Sequence, residues 1–204
     1  MGLEPKHYHS LQQSNCGISC LEFREGNSPK LKFLNVTSHL GEKLPKLKAG
    51  KTGWRWLLLS NKCTKNILNS SCFSDFIHDN LIDITLTDDS HKSESLARDF
   101  MANHHKTLYL SINQHSFLEN WQKTIFARQK VNDSCCEPTL ITGLIIVEEK
   151  IIRQILQKTL NDQINLETTN HFSVIHYPQA SPQSILQGLF PVQKYLVPQA
   201  TYNN

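Results

Sequence analysis

Leu140-Ile-Thr-Gly-Leu-Ile-Ile-Val147 is an eight-residue, nearly uninterrupted apolar run, and Glu148-Glu-Lys-Ile-Ile-Arg-Gln-Ile-Leu-Gln-Lys-Thr-Leu160 follows it directly. The first stretch is short and rich in β-branched residues, which predicts a strand buried on both faces. The second places Ile151, Ile152, Ile155 and Leu156 at helical spacing, the pattern of an amphipathic helix. Acids open it and Lys158 stands in its last turn, as the helix dipole favours. A doubly buried strand feeding such a helix is the repeating unit of an α/β sheet.

The same grammar runs upstream. Trp54-Arg-Trp-Leu-Leu-Leu-Ser60 is a second central strand by composition. Ser70 to Asp79 suits a helix capped by Ser70 or Ser71, and Leu81 to Leu86 suits a strand. Ser90 then caps a helix with Leu96, Phe100 and Met101 turned inward. Thr107 to Ile112 follows as a strand, and Ser116 caps Phe117 to Arg128, where Phe117, Trp121 and Ile125 recur at helical spacing. Phe172 to Tyr177 is the last strand. From 54 to 177 the order is β-α-β-α-β-α-β-α-β. This predicts an α/β fold, a three-layer, open, mostly parallel sheet with helices on both faces.

Before residue 54 the pattern differs. Gly17 to Phe23 and Leu31 to Val36 are strand candidates around the turn-rich Glu25-Gly-Asn-Ser-Pro29. Two strands without a helix cannot bury a face alone. They are therefore expected to be an orphan two-strand segment before the α/β unit, showing unpaired edges or docking on the larger unit. Residues 38–53 hold Gly41, Pro45, Gly50 and Gly53 among Lys43, Lys46, Lys48 and Lys51, the composition of a basic linker. The chain divides into 1–37, 38–53 and 54–204.

With 204 residues, 39% hydrophobic and 19% charged, the chain can enclose one core of ordinary size. Residues 1–53 hold eight Lys/Arg against four Glu, so the basic excess is local to the linker and the segment before it. Neutralising many phosphates needs a broader patch, and no nucleic-acid partner is expected. No apolar run approaches the ~20 residues of a membrane span, and the start lacks a charged-then-apolar leader. A soluble, cytoplasmic protein without membrane contact is the default expectation. Cysteines at 16, 20, 63, 72, 135 and 136 include no C-x-x-C pair. Reduced structural thiols are expected, and no cofactor or metal.

Tyr8-His-Ser-Leu-Gln-Gln-Ser-Asn-Cys-Gly-Ile-Ser19 and Leu34-Asn-Val-Thr-Ser-His-Leu-Gly-Glu-Lys-Leu-Pro45 resemble a joint in cyanobacterial two-domain histidine phosphatases (phosphoglycerate mutase-like). There the joint links a catalytic domain to a degenerate second one. Gly53–Ser60, Leu140-Ile-Thr-Gly-Leu-Ile-Ile146 and Phe172-Ser-Val-Ile-His-Tyr-Pro178 resemble that second domain. The resemblance implies that 1–37 is the end of a first catalytic domain and 54–204 a degenerate histidine-phosphatase-like domain. It also implies the family chemistry, transfer or hydrolysis of phosphate on small esters through a phosphohistidine.

The nucleophile of that chemistry lies in an Arg-His-Gly motif after the first strand, and this position falls on Ser60-Asn61-Lys62. An amide cannot form the phosphoenzyme. The second motif, Ser-His-Gly-like, falls on Thr142-Gly143-Leu144, without His. A second Arg would fall near His91 to Ser95, where none stands. The implied pocket positions are Ser60, Asn61, Lys62, Thr64, Thr142 and Gly143, with no catalytic residue among them. Lys62, aided by Asn61 and Thr64, can attract a phosphate or small phosphorylated metabolite weakly.

Three functions compete. The first is a catalytically inactive structural or regulatory module that packs against a separately encoded catalytic domain. The second is an active phosphatase with relocated chemistry at His91 or His104. The third is a gene fragment with no independent role. Two other features carry less. Cys16-Gly-Ile-Ser-Cys20 is one residue too long for a cysteine-protease signature, and His176 lies mid-strand, where a structural role is expected.

Overall fold

The structure is a computed structural model that describes residues 9–27, 29–42, 44–48, 52–62, 82–131 (backbone alone for 126–131), 140–160, 165–166, 168, 171–179 and 184–191. The helix expected over Ser70 to Asp79 lies outside the described residues, as does Thr64.

The strands are β1 (Ile18–Glu22), β2 (Lys30–Val36), β3 (Gly53–Ser60), β4 (Ile84–Asp88), β5 (Leu108–Ile112), β6 (Leu140–Val147), β7 (Asn165–Leu166), β8 (His171–Tyr177) and β9 (Ile185–Pro191). The helices are α1 (His91–Met101), α2 (Phe117–Val131) and α3 (Glu149–Leu160). One sheet runs in the order β1-β2-β9-β8-β3-β6-β4-β5, with β7 beside β2. No helix among the described residues is long and apolar enough to cross a membrane.

β3 and β6 form the centre, parallel and in unbroken register from Gly53↔Leu140 to Ser60↔Val147. All eight residues of β3 are buried, as a strand covered on both faces requires. Side-chain alternation sorts the core into two layers. Trp54, Trp56, Leu58, Ile145 and Val147 pack with Phe117, Trp121 and Ile125 of α2 and Ile151, Ile152, Ile155 and Leu156 of α3. Leu57, Leu59, Leu144 and Ile146 face Leu96, Ala97 and Phe100 of α1. Helices thus cover both faces, and each fully buried aliphatic or aromatic side chain contributes about 1.5–3 kcal/mol.

Gly143 shows why a glycine interrupts the apolar run of β6. A Cβ built there would lie 2.1 Å from Trp56 Cζ3. Its absence lets the indole of Trp56 lie flat against β6. Trp54 stacks on Trp56 at 4.9 Å, Trp121 meets Trp56 edge-on at 6.3 Å, and Tyr177 meets Trp121 at 5.7 Å. This aromatic chain links β3, α2 and β8.

β3, β6, β4 and β5 pair in parallel, as do β2 and the short β7. β8 runs antiparallel to β3, β9 to β8, and β2 to β9, so the sheet is mixed rather than mostly parallel. Periodicity reports which face of a strand is buried and is the same for either direction. β9, absent from the expected order, is an apolar stretch interrupted by Gln187 and Gly188.

The two N-terminal strands are not orphaned. β2 joins β9 at Leu34↔Leu189, and Leu31 and Leu34 enter the same core layer as Trp56. Of the two outcomes the sequence allowed, the segment takes docking. Asn35 is the fastening: it is fully buried with φ 57, its Oδ1 accepts from Ser14 N at 2.8 Å, and its Nδ2 donates to Gln187 O at 2.8 Å. The linker is also partly held. Gln12 Nε2 donates to Lys46 O at 2.8 Å, and Gln187 Nε2 donates to the carbonyl of Pro45.

Candidate functional site

In open α/β sheets, ligands meet the sheet at the carboxyl ends of its parallel strands. Here that edge is built from the ends of β3, β4, β5 and β6. The register brings Ser60 opposite Val147, so Asn61 and Lys62 lie beside Glu148 and Glu149. Asn61 N donates to Val147 O at 2.8 Å and continues the ladder one step past the strand.

Asp88, at the end of β4, is the hub of the edge. It is fully buried. Its Oδ2 accepts from Glu148 N at 2.8 Å, which ties the ends of β4 and β6 together. Its Oδ1 accepts from Ser90 Oγ at 2.5 Å. Ser90 is the N-cap of α1, in extended conformation, with its hydroxyl accepting from Ser93 N. Asn61 Nδ2 donates to Ser93 Oγ at 3.0 Å and reaches Ser90 Oγ at 3.4 Å. The Asn61 amide is therefore clamped between β3 and the start of α1.

Glu149, the first residue of α3, gathers the cations. Its Oε2 accepts from Lys62 Nζ at 2.8 Å, and its Oε1 accepts from an Arg153 guanidinium nitrogen at 2.6 Å and from Thr168 Oγ1 at 3.0 Å. A carboxylate in the first turn of a helix is favoured by the dipole. Lys62 and Arg153 are thus both engaged with Glu149. A phosphoryl group arriving here competes with that carboxylate for them.

Of the pocket positions expected from the sequence, the fold brings Ser60, Asn61 and Lys62 together and does not bring Thr142 and Gly143 to them. Thr142 and Gly143 pair with Arg55 and Trp56, four or five steps down the strand from Val147, about 13–16 Å from the edge. Thr142 N donates to Asp83 Oδ2 at 2.8 Å at the opposite end of the sheet. The motif resemblance puts the second motif at the entrance of β6, whereas parallel register puts Val147-Glu148-Glu149 at its exit. Asp88, Ser90, Ser93, Glu149 and Arg153 were missed. The signal available was position: Asp88-Asp-Ser90 comes one residue after the strand expected over Leu81 to Leu86, and Glu148-Glu149 directly follows the one over Leu140 to Val147.

The histidines separate by end. His91 opens α1 and is exposed at the carboxyl edge. His104 stacks on Phe100 at 4.3 Å beyond the far end of α1, away from that edge. His176 is fully buried with Nε2 2.9 Å from Thr52 O. Burial pushes its imidazole below its ordinary value, against the opposing effect of the Thr52 carbonyl, and the nearby Arg55 charge adds to the lowering. Burial likewise lowers Arg55 to about 10. Among the described residues no cluster of three or more His, Cys, Asp or Glu is arranged to hold a metal.

Among solved structures, the chain is similar to the phosphoglycerate mutase from Plasmodium falciparum. The identity is 10%, the TM-score 0.48, and the match covers 66% of this chain and 89% of that one. At this identity and score the likeness assigns no role to any residue here. No family model matches the sequence. No curated protein matches it.

Proposed function

We propose that this chain is a cytoplasmic histidine-phosphatase-like protein without phosphohistidine chemistry, serving as a structural or regulatory module for a separately encoded catalytic domain. The observation that carries this reading is Asn61. The motif resemblance puts the nucleophile at this position, at the carboxyl end of β3. Its side-chain amide donates to Ser93 Oγ at 3.0 Å, and an amide neither attacks phosphorus nor carries the phosphoryl group. The neighbouring cation, Lys62, is paired with Glu149, which supports weak rather than tight binding of a small phosphorylated metabolite. Two-domain ancestry, with 1–37 as the end of a first domain, belongs to the same proposal and rests on the motif resemblance alone.

The competing reading, an active phosphatase with relocated chemistry, has one candidate in its favour: His91, exposed at the same edge beside the Ser90–Asp88 pair. A phosphomonoester hydrolysis assay on the purified chain separates the two. No turnover above the uncatalysed rate is expected. Turnover that disappears in His91→Ala would replace the inactive reading with the active one.

A further inference from the structure

The hairpin β1–β2 repeats the hairpin β8–β9. In the sequence, Leu11-Gln-Gln-Ser-Asn15 matches Leu166-Glu-Thr-Thr-Asn170, and Ser19-Cys-Leu-Glu-Phe23 matches Ser173-Val-Ile-His-Tyr177. Leu31 and Leu34 then match Leu186 and Leu189. The strands repeat in the same way. Both hairpins are antiparallel, and the shift in register between Cys20 and Leu21 recurs between their counterparts Val174 and Ile175. Leu21 packs on the core layer of Trp56, to which Ile175 belongs.

The two hairpins face each other across a local two-fold axis. Leu34 pairs antiparallel with its own counterpart, Leu189. The parallel contacts are exchanged: Leu31 pairs with Leu166, and its counterpart Leu186 pairs with Leu11, the counterpart of Leu166. Such reciprocal contacts are the mark of a two-fold relation.

The hairpins differ in what lies on the outer strand. β8 carries β3 on its far side, antiparallel from Trp54↔Tyr177 to Leu59↔Phe172. β1 has no strand at the corresponding place among the described residues. Its side chains follow suit. Phe172 and Val174 are 3% and 0% exposed, whereas Ile18 is 50% exposed and Cys20 only partly buried. Phe23 is 72% exposed, whereas its counterpart Tyr177 packs edge-on against Trp121. Bulges usually protect an open edge, but β8 carries the same register shift and is paired on both sides.

We propose that the outer edge of β1 docks the first strand of an α/β unit on a separate chain, antiparallel and in the register that β3 takes on β8. A second copy of this chain cannot offer its own β3, because β8 and β6 occupy both edges of that strand. The transferred register sets the start of the incoming strand beside Phe23 and its end beside Ile18. Leu57 and Leu59 share a core layer with Phe172 and Val174, so apolar residues at those positions of the incoming strand cover Ile18 and Cys20. Arg55 lies opposite His176. The same position on the incoming strand lies opposite Glu22, where a cation is favoured. The dock stands on the repeat and its two-fold contacts; that the docked unit is the catalytic domain rests on the function proposed above.

A synthetic peptide with the sequence of residues 51–62, which contains β3, is the probe, added to the full chain. At ~1 mM peptide, amide exchange in β1 should slow about 5-fold while exchange in β5 stays unchanged. A nitroxide on the N-terminus of the peptide should broaden the amide signals of Phe23 and Arg24, and one on its C-terminus those of Ile18 and Ser19. Ile18→Lys and Glu22→Lys should keep the circular dichroism spectrum and weaken binding about 10-fold and about 3-fold. Protection of β1 together with phosphomonoester turnover by the chain would keep the dock and remove only the inactive reading. No slowing in β1 at ~1 mM peptide, broadening at the opposite ends, or affinity indifferent to both variants would each overturn the proposal. So would sedimentation velocity showing that the chain self-associates and that Ile18→Lys abolishes it, since β1 would then pair with another copy.

Discussion

Lys62 Nζ lies 2.8 Å from Glu149 Oε2, and the other oxygen of that carboxylate holds Arg153 at 2.6 Å. One largely buried carboxylate thus engages Lys62 and Arg153 together. Glu149→Gln should lower stability by about 1.5–3 kcal/mol, the scale of hydrogen bonds to a charged group. It also frees Lys62 and Arg153 together. Under the proposed reading, inorganic phosphate should raise the melting temperature of Glu149→Gln more than that of the wild type. Equal shifts in thermal melts of the two proteins would argue against a latent phosphate position.

Asn61 is a clamp between β3 and α1, through Ser93 Oγ at 3.0 Å. Asn61→Ala should destabilise by about 1–2 kcal/mol through the lost bonds. Asn61→His should create no phosphatase, because the position before it is Ser60 and Lys62 stays paired with Glu149. Denaturant unfolding checks the first outcome and a phosphomonoester assay the second.

Gly143→Ala places a methyl where Trp56 Cζ3 stands 2.1 Å away. Trp56 is fully buried and cannot retreat without disturbing Trp54 and Trp121. A loss of about 1–3 kcal/mol is expected, the usual cost of overpacking. Near-ultraviolet circular dichroism should change with it, since the stacked Trp54–Trp56 pair must shift. An unchanged spectrum and midpoint would mean that β6 yields instead.

His176 is held neutral by burial, with its folded-state pKa below the ordinary 6.5. The unfolded chain therefore takes up the proton first as pH falls. This contribution to stability is complete above about 6.5 and is lost as pH drops from there toward the lower folded-state value. His176→Gln keeps a donor for Thr52 O and cannot titrate. Melting curves between pH 7.5 and about 5 should fall less steeply for this variant than for the wild type.

Asn35 combines a positive φ of 57 with two side-chain bonds to distant backbone. Asn35→Ala loses both bonds and keeps the strain, which costs roughly 1–2 kcal/mol in this backbone region for an ordinary residue. Asn35→Gly loses the bonds and relieves the strain. Hydrogen exchange should show β1 and β2 less protected in both variants than in the wild type, with Asn35→Ala the worse. Protection in β3 and β6 should change least.

The elements were largely legible in the sequence. Residues 140–147 and 54–60 show their double burial as predominantly apolar runs. Helical spacing in 91–101, 117–125 and 149–160 marks the faces that meet the sheet. The site was half legible. Ser60, Asn61 and Lys62 follow a strand end and stay there, whereas Thr142 and Gly143 belong to the other end of β6. Position after a strand was the one local sign that Asp88 and Glu149 gave, and it does not name their partners, which include residues up to 87 positions away.

Local composition and periodicity determined which residues form strands and helices and which face of each is apolar. Those properties come from side-chain size and alternation, which neighbouring residues alone specify. Only the tertiary structure decided strand direction, the neighbour of each strand, and therefore which residues share an edge. β8 runs against β3, and β9 against β8, because of where the chain re-enters the sheet. β2, which carries β1 on its other side, finds its partner in β9, about 150 residues away, through Leu34↔Leu189 and Asn35. Such pairings are set by long-range hydrogen bonding and shared core volume, which no local window of the sequence encodes.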